Sequence, residues 1–348
     1  MNSRERVLRA FAFEESDKVP AWCGASPEFM MKSMEALNTD EEGVRKRFGD
    51  DFRRVSGVYN EPGYKISEGN TWKSPFGVER TGIGYGQPVS HPLKGAATVM
   101  EIFDYPWPDP SWIDVSNIKK DADKYNREFA ILGGDWSPYW HDAIDLLGME
   151  ELYIKMYEYP EVVHALMDEI VNYYYKVSEN IFEAAGDSID IFFIGNDFGS
   201  QAGPLMGVDL FDEFLMPPLK RLIDLGHRFG HKTMLHCCGS VNILLPSMIK
   251  AGLDGIHALQ PDCYGMSLYE LKKNFGTKIL LNGGIDSRNV LINGDPDYVR
   301  AETRKVLDIM APGGGYVAGA SHDYILGETP FENILAMFDT ITEYRTGN

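Results

Sequence analysis

From about residue 128 to the C-terminus the chain repeats one pattern, a short apolar run followed by an amphipathic stretch. The apolar runs are FAILGGD (129–135), DIFFIGND (190–197), TMLHCCG (233–239), GIHALQ (255–260), KILLNGGID (278–286) and GGYVAGASH (314–322). Between them lie helical faces such as Val163, Leu166, Ile170, Tyr173, Tyr174, Val177 and Ile181, spaced by threes and fours. Strands without polar alternation are buried on both faces. Strands separated by helices therefore point to a parallel sheet covered by those helices. With VPAW (19–22) as a further short strand, the expectation is an α/β fold, a (β/α)8 TIM barrel with an N-terminal elaboration. An open doubly wound sheet is the alternative. No G-x-G-x-x-G follows a strand and no P-loop motif is present, so neither nucleotide fingerprint is signalled.

The whole of 1–348 reads as one domain. Residues 1–125 carry the first strand and an irregular insertion or lid, and 126–348 carry the regular repeats. A helix is expected over about 3–14, with Ser3 as N-cap and Glu5 behind it. The 55–115 region is rich in Gly, Pro and aromatics and lacks helical periodicity. Pro217-Pro218 breaks the helix expected over 208–229. Thr329, Pro330 and Glu332 read as a capping box at the start of the last helix.

Composition limits the partners. The 348 residues carry a net charge of −19, which argues against nucleic acid, an anionic membrane surface and a highly anionic substrate. There is no secretory h-region and no apolar run of spanning length, so a cytoplasmic protein is expected. The four cysteines, Cys23, Cys237, Cys238 and Cys263, read as reduced thiols or metal ligands rather than as a disulfide framework.

In a barrel of this kind the active site lies at the C-terminal ends of the strands. Standing there are Asp135, Asn196, Asp197, His236, Cys238, Gln260, Asn282, Asp286 and His322. Residues i and i+2 of a strand share a face, so His236 and Cys238 point to one centre while Cys237 turns away. One imidazole and one thiolate suit Zn²⁺. A hydrogen-bonded histidine beside a buried thiol is the plain alternative. His322 reads as a third ligand, a substrate hydrogen-bonder or a structural residue. Cys263 lies within reach as another ligand. Asp197 is a ligand, an acid–base group or the partner that orients His236. Asp286 is an acid–base candidate or a turn cap. Trp136, Tyr139, Trp140, Phe198 and Tyr324 either line an apolar pocket for a ring or methyl-bearing substrate or belong to the core. His164, His227, His231 and His257 read as structural, while His91 and His141 fit either reading.

These segments resemble the uroporphyrinogen decarboxylase (URO-D) superfamily. The resemblance rests on RERVLRAFAFEESDKVP, HPLKGAATVMEIFDYPWPDP, NDFGSQAGPLM, MLHCCGSV, LQPDCYGM, LLNGGID and GGGYVAGASHDYILGETPFENI, in that order along nearly the whole chain. It implies a (β/α)8 barrel and one of two chemistries: cofactor-free decarboxylation of uroporphyrinogen, or zinc-dependent methyl transfer involving a corrinoid protein. The methyltransferases resemble this chain at His236 and Cys238. Their later cysteine ligand is absent here. His322 stands in its place and looks like the histidine of the decarboxylases' G-H-G-I segment. The decarboxylases' R-Q-A-G-R segment corresponds to WCGASPEFMMK (22–32), which has no arginine.

The expected function is a zinc-dependent methyltransferase-like enzyme. It would move a methyl group between a small methylated substrate, such as an aromatic ether or amine, and a corrinoid protein or thiol. The D-x-H-x-x-G corrinoid motif is missing, so a corrinoid would sit on a separate carrier protein. The resemblance also allows a homodimer. The rivals are uroporphyrinogen decarboxylase itself or a metal-free decarboxylase or lyase, and a non-catalytic barrel that binds a small ligand.

Overall fold

The computed structural model describes residues 1–61, 71–82 and 86–345. Its centre is a seven-stranded sheet: β1 (Phe52–Arg54), β2 (Ala130–Gly133), β3 (Ile191–Gly195), β4 (Lys232–His236), β5 (Gly255–Leu259), β6 (Leu280–Ile285) and β7 (Tyr316–Ala320). Each strand pairs in parallel with the next in sequence. The six apolar runs read from the sequence all form strands. The long helix Pro160–Ala185 buries its expected face against the sheet's outer side.

The expected closed eight-stranded ladder is not formed. VPAW contributes only isolated bridges, from Ala21 to Asp50 ahead of β1 and from Ala21 to Ala318 in β7. Both edges of the sheet meet this one residue, so the sheet is curled. The physical reason is local. Pro20 has no N–H to give, and the Ala21 N–H goes to the Asp51 carboxylate at 2.8 Å instead of to a strand carbonyl. Asp51 is itself held by Arg6 at 2.6 Å.

β1 was not visible as a strand, because Phe-Arg-Arg looks like surface. Arg53 is nevertheless buried. Its guanidinium makes two bonds to Glu42, at 2.8 and 3.0 Å, and lies 3.8 Å above the Phe129 ring, which offsets the cost of burying the charge.

The N-terminal helix, Ser3–Phe11, is capped by Asn2 rather than Ser3; Asn2 and Glu5 complete a capping box. Its Val7, Ala10 and Phe11 pack with Phe52, Ala130, Ile191, Met234, Leu280 and Val317 inside the curl. Because Ala130 and Leu280 begin their strands, this helix covers the N-terminal end of the sheet and leaves the C-terminal end open. Two further helices, Pro27–Leu37 and Glu41–Phe48, start at Ser26 and Asp40 caps in a stretch expected to be irregular. The last helix, Phe331–Glu343, has Pro330 at its cap position with no side-chain cap bond, so the Thr329 capping box is not formed.

Of the expected insertion, an antiparallel pair joins Val58–Tyr59 to Ile113–Asp114, and Thr71–Lys73, Glu79–Thr81 and Gln87–Pro88 form a three-stranded sheet. The parts of that expectation falling on 62–70 and 83–85 lie outside the described residues. A five-residue π-turn, Phe211–Leu215, precedes the helix Met216–Arg228, so the Pro217-Pro218 break lies at a helix start.

Candidate functional site

His236 ends β4 and points into the curl, and Cys238 follows two residues later. Cys237, between them, is buried in the outer apolar layer, where its thiol receives the Phe198 N–H at 3.2 Å. The Cys238 thiol stands 3.4 Å from His236 Nε2, and Asp197 Oδ1 stands 3.5 Å from the same nitrogen. The Asp197 carboxylate is fixed by the Cys238 N–H at 2.7 Å. His141 Nε2 accepts the Asp197 N–H at 3.2 Å and lies 3.6 Å from Asp197 Oδ2.

This arrangement depends on a close approach of two loops. Gly239 has φ +83°, and a Cβ on it would stand 2.5 Å from the Gly199 carbonyl carbon. Only glycine lets the turn after β4 lie against the turn after β3. The Gln260 side-chain oxygen Oε1 accepts the Gly239 N–H and holds the turn from the other side.

The charges are strongly coupled. Burial alone would raise the Asp197 carboxyl; the hydrogen bond and charge of His236 and the Cys238 N–H outweigh it and hold the carboxyl below its usual range. Burial alone would lower His236, but Asp197, Cys238 and Asp323 outweigh it and raise the imidazole well above its ordinary value. Burial lowers His141 against the pull of Asp197.

The donor set fits a metal ion. Asp197, His236 and Cys238 offer O, N and S atoms within 4.8 Å of one another. With Zn–N of about 2.0–2.1 Å and Zn–S of about 2.3 Å, tetrahedral ligands lie about 3.5 Å apart N-to-S and about 3.4 Å N-to-O. The observed 3.4 and 3.5 Å match both spacings. His236, His257 and Asp323 form a second cluster on the other side of the same ring.

A cleft of about 560 Å³ reaches the second cluster at Asp323; its other walls include Trp22, Phe52, Arg54, Phe193 and Tyr324. Trp136 joins cleft and cluster. Its indole stacks on His236 with centroids 5.4 Å apart, and the Arg54 guanidinium lies 5.3 Å over it. Trp136 fits because residue 195 is glycine: a Cβ there would stand 1.9 Å from the indole.

A family model described as uroporphyrinogen decarboxylase (URO-D) matches residues 115–344, most of the chain. The chain belongs to the URO-D family. This member is similar to methylcobamide:CoM methyltransferase MtbA of Methanosarcina mazei, 22% identical over 98% of each chain. The corresponding protein of Methanosarcina acetivorans is 24% identical over 66% of this chain and 62% of its own length, so the match to that relative spans less than two thirds of it. A uroporphyrinogen decarboxylase of Azoarcus sp. is 24% identical over 54% of this chain and 49% of its own. Among solved structures, a methyltransferase from Methanosarcina mazei superposes with a TM-score of 0.66 at 22% identity, covering 99% of each chain, and supports the fold. Among the described residues no helix is long and apolar enough to cross a membrane.

In this URO-D family member the residues singled out from sequence divide clearly. Asp197, His236 and Cys238 come together, with Trp136 stacked on them and Tyr324 in the cleft wall. His322 and Cys263 lie outside the donor clusters. His322 Nδ1 faces the Tyr324 N–H at 3.4 Å. Burial, with the charge of Asp262, pushes the Cys263 thiol up to about 11. Asn196 is buried and spends its amide on the backbone, accepting from Trp140 N–H at 3.0 Å and donating to Ser137 O at 3.1 Å. Tyr139 is fully buried with its hydroxyl on Leu215 O at 2.9 Å, which places it in the core rather than the pocket. Trp140 and Phe198 are also core residues.

Asp135 accepts the Ser137 N–H at 3.0 Å, and burial raises its carboxyl. Asp286 caps the turn after β6 through Arg288 and Asn289 N–H, at 2.9 and 2.7 Å. Asn282 is fully buried on the interior face of β6. Sequence reasoning missed Arg54, Asp323 and the part played by His257, and left His141 undecided. A register signal existed for His257: aligning MLHCC with GIHAL as neighbouring strands sets His236 beside His257, the pairing observed.

Proposed function

We propose that this protein is a zinc-dependent methyltransferase-like enzyme. It would move a methyl group between a small methylated substrate, an ether or amine, and a thiol or a corrinoid carried by a separate protein in the cytoplasm. The scaffold would be a (β/α)8 barrel with the 19–22 segment as its eighth stave. The observation that carries this reading is the spacing of His236 Nε2, Cys238 Sγ and Asp197 Oδ1 at a strand end beside a cleft. The similarity to methylcobamide:CoM methyltransferases supports it.

His236, Cys238 and Asp197 would hold the ion, with Asp197 rather than His322 or Cys263 as the third ligand. A bound zinc supplies Lewis acidity and a resting place for a thiolate. Trp136 and Phe193 exclude water from one side of the reacting centre. Arg54 and Tyr324 orient the substrate in the cleft, with His322 and Asp286 as further acid–base candidates. His141, half-exposed beside Asp197, connects the cluster to solvent protons.

One observation favours a second reading, a metal-free decarboxylase or lyase: Asp197 and His236 already form an acid–base pair without an ion. Against it, Arg45 and Arg53, which also border the cleft, are paired with Glu41, Asp50 and Glu42, so they offer little free charge to a polycarboxylate.

Metal analysis of the purified protein separates the two. The proposal expects about one equivalent of zinc, lost together with methyl transfer from methylcobalamin to a thiol in His236→Ala and Cys238→Ala. Metal-free protein whose activity survives both substitutions sinks it.

A further inference from the structure

The second shell of His236 lies inside the curled sheet. Register pairs His236 with His257 across β4 and β5, and their Nδ1 atoms are 3.0 Å apart. Two imidazole nitrogens at that distance need one proton between them, so one donates and the other accepts. Asp323 Oδ1, 3.9 Å from His236 Nδ1, is too distant to be the acceptor.

The far side of His257 sets the direction. Among the described residues, the fully buried His257 has no partner for its Nε2, and the fully buried Asn282 has none for its Oδ1. Gly255 pairs with Leu280. Ile256 pairs with Leu281, and His257 and Asn282 are the next residues of the two strands, where the register shifts ahead of Leu259. Asn282 Nδ2 is turned to Met234 Sδ at 3.9 Å, which leaves the carbonyl oxygen as the free group. A carbonyl oxygen only accepts. The third orphan nearby, Trp22 Nε1, faces another way: it lies 3.0 Å from where a Cβ on Gly24 would stand.

We propose that His257 is the positioning residue of His236, set as its Nε2–H tautomer by the Asn282 side-chain oxygen through one bridging water. His257 Nδ1 then accepts from His236 Nδ1–H. Once its Nε2 proton is displaced, His236 presents that lone pair toward Asp197 and Cys238. Orientation of a metal-binding histidine through its second nitrogen is a general device. Here the acceptor is a second histidine, fixed in turn by a buried amide. The inference rests on the metal reading for its consequence but not for its test.

The test is a long-range ¹H–¹⁵N correlation on histidine-labelled, full-length protein, with and without zinc. The proposal expects His257 as the Nε2–H tautomer in both samples and His236 protonated on Nδ1 in the zinc form. A His257 proton on Nδ1 overturns it. In Asn282→Leu, the His257 signal should shift to a tautomer mixture, and zinc affinity, by chelator competition, should fall about 10- to 100-fold. A folded Asn282→Leu protein with unchanged tautomer and affinity also overturns it. If Asn282→Leu does not fold, the wild-type tautomer decides alone. Wild-type protein that binds no zinc refutes the metal reading, while the His257 tautomer still decides this one.

Discussion

Replacing Asn196 by alanine removes two hydrogen bonds at once. The Trp140 N–H and the Ser137 carbonyl each lose a partner, and both residues are fully buried. The Trp140 N–H is left unsatisfied at about 1–3 kcal/mol, while the Ser137 carbonyl keeps the Tyr139 N–H at 2.8 Å and loses one bond of about 0.5–1.5 kcal/mol, so the sum is about 1.5–4.5 kcal/mol. That is a large fraction of the roughly 5–15 kcal/mol that holds an ordinary domain folded. Ser137 also holds a left-handed backbone, φ +53°, so the segment it belongs to does not keep its shape unaided. Because that segment runs from Trp136 to His141, loosening it also disturbs the ring stacked on His236 and the imidazole beside Asp197. Urea unfolding is the assay: the midpoint should drop with an unchanged slope. Asn196→Asp separates the two bonds, since it keeps the acceptor for Trp140 but presents an oxygen to the Ser137 carbonyl. An alanine variant within about 0.5 kcal/mol of wild type, the range of an ordinary surface change, would refute the argument.

Further expectations concern pH and packing. Zinc must displace protons from His236 and Cys238, and the His236 imidazole is raised above its ordinary value. Affinity should therefore climb with pH through neutrality, with proton release detectable by calorimetry in buffers of different ionisation enthalpy; a pH-independent affinity would count against it. The Asp142 carboxyl, raised by burial from 3.8 to about 7, holds a proton in the folded state that the unfolded chain has released. It therefore lowers stability as pH rises from about 4 to about 7, and Asp142→Asn should flatten the stability profile in that window. Gly195→Ala should cost about 1–3 kcal/mol by driving a methyl into the Trp136 indole, read as a lower melting temperature.

Where side-chain pattern and burial agree, the sequence was readable. The six apolar runs became strands because parallel strands covered by helices need no polar face. β1 was hidden because Arg53 is buried by specific pairing with Glu42 and Phe129, an arrangement no periodicity announces. The Ser26 and Asp40 caps were legible signals in a stretch set aside as irregular. At the site, His236 and Cys238 followed from i, i+2 geometry. Asp197 reads from sequence as an acid–base or orienting residue, or as a ligand, and the sequence does not choose between these because its position depends on two loops meeting at Gly199 and Gly239. Asn196 and Tyr139 looked like pocket residues because strand-end polarity and aromaticity do not reveal that a side chain is consumed by backbone. Arg54 and Asp323 come from opposite ends of the chain, and only the curl of the sheet brings them to one cleft.

X-ray absorption fine structure of the zinc-loaded protein decides whether His236, Cys238 and Asp197 hold zinc through one nitrogen, one sulfur and one oxygen. The expected shell has a single sulfur at about 2.3 Å with nitrogen and oxygen at about 2.0–2.2 Å, the sulfur lost in Cys238→Ala and retained in Cys263→Ala. Two sulfurs in the shell, or a shell unchanged by Cys238→Ala, would contradict it.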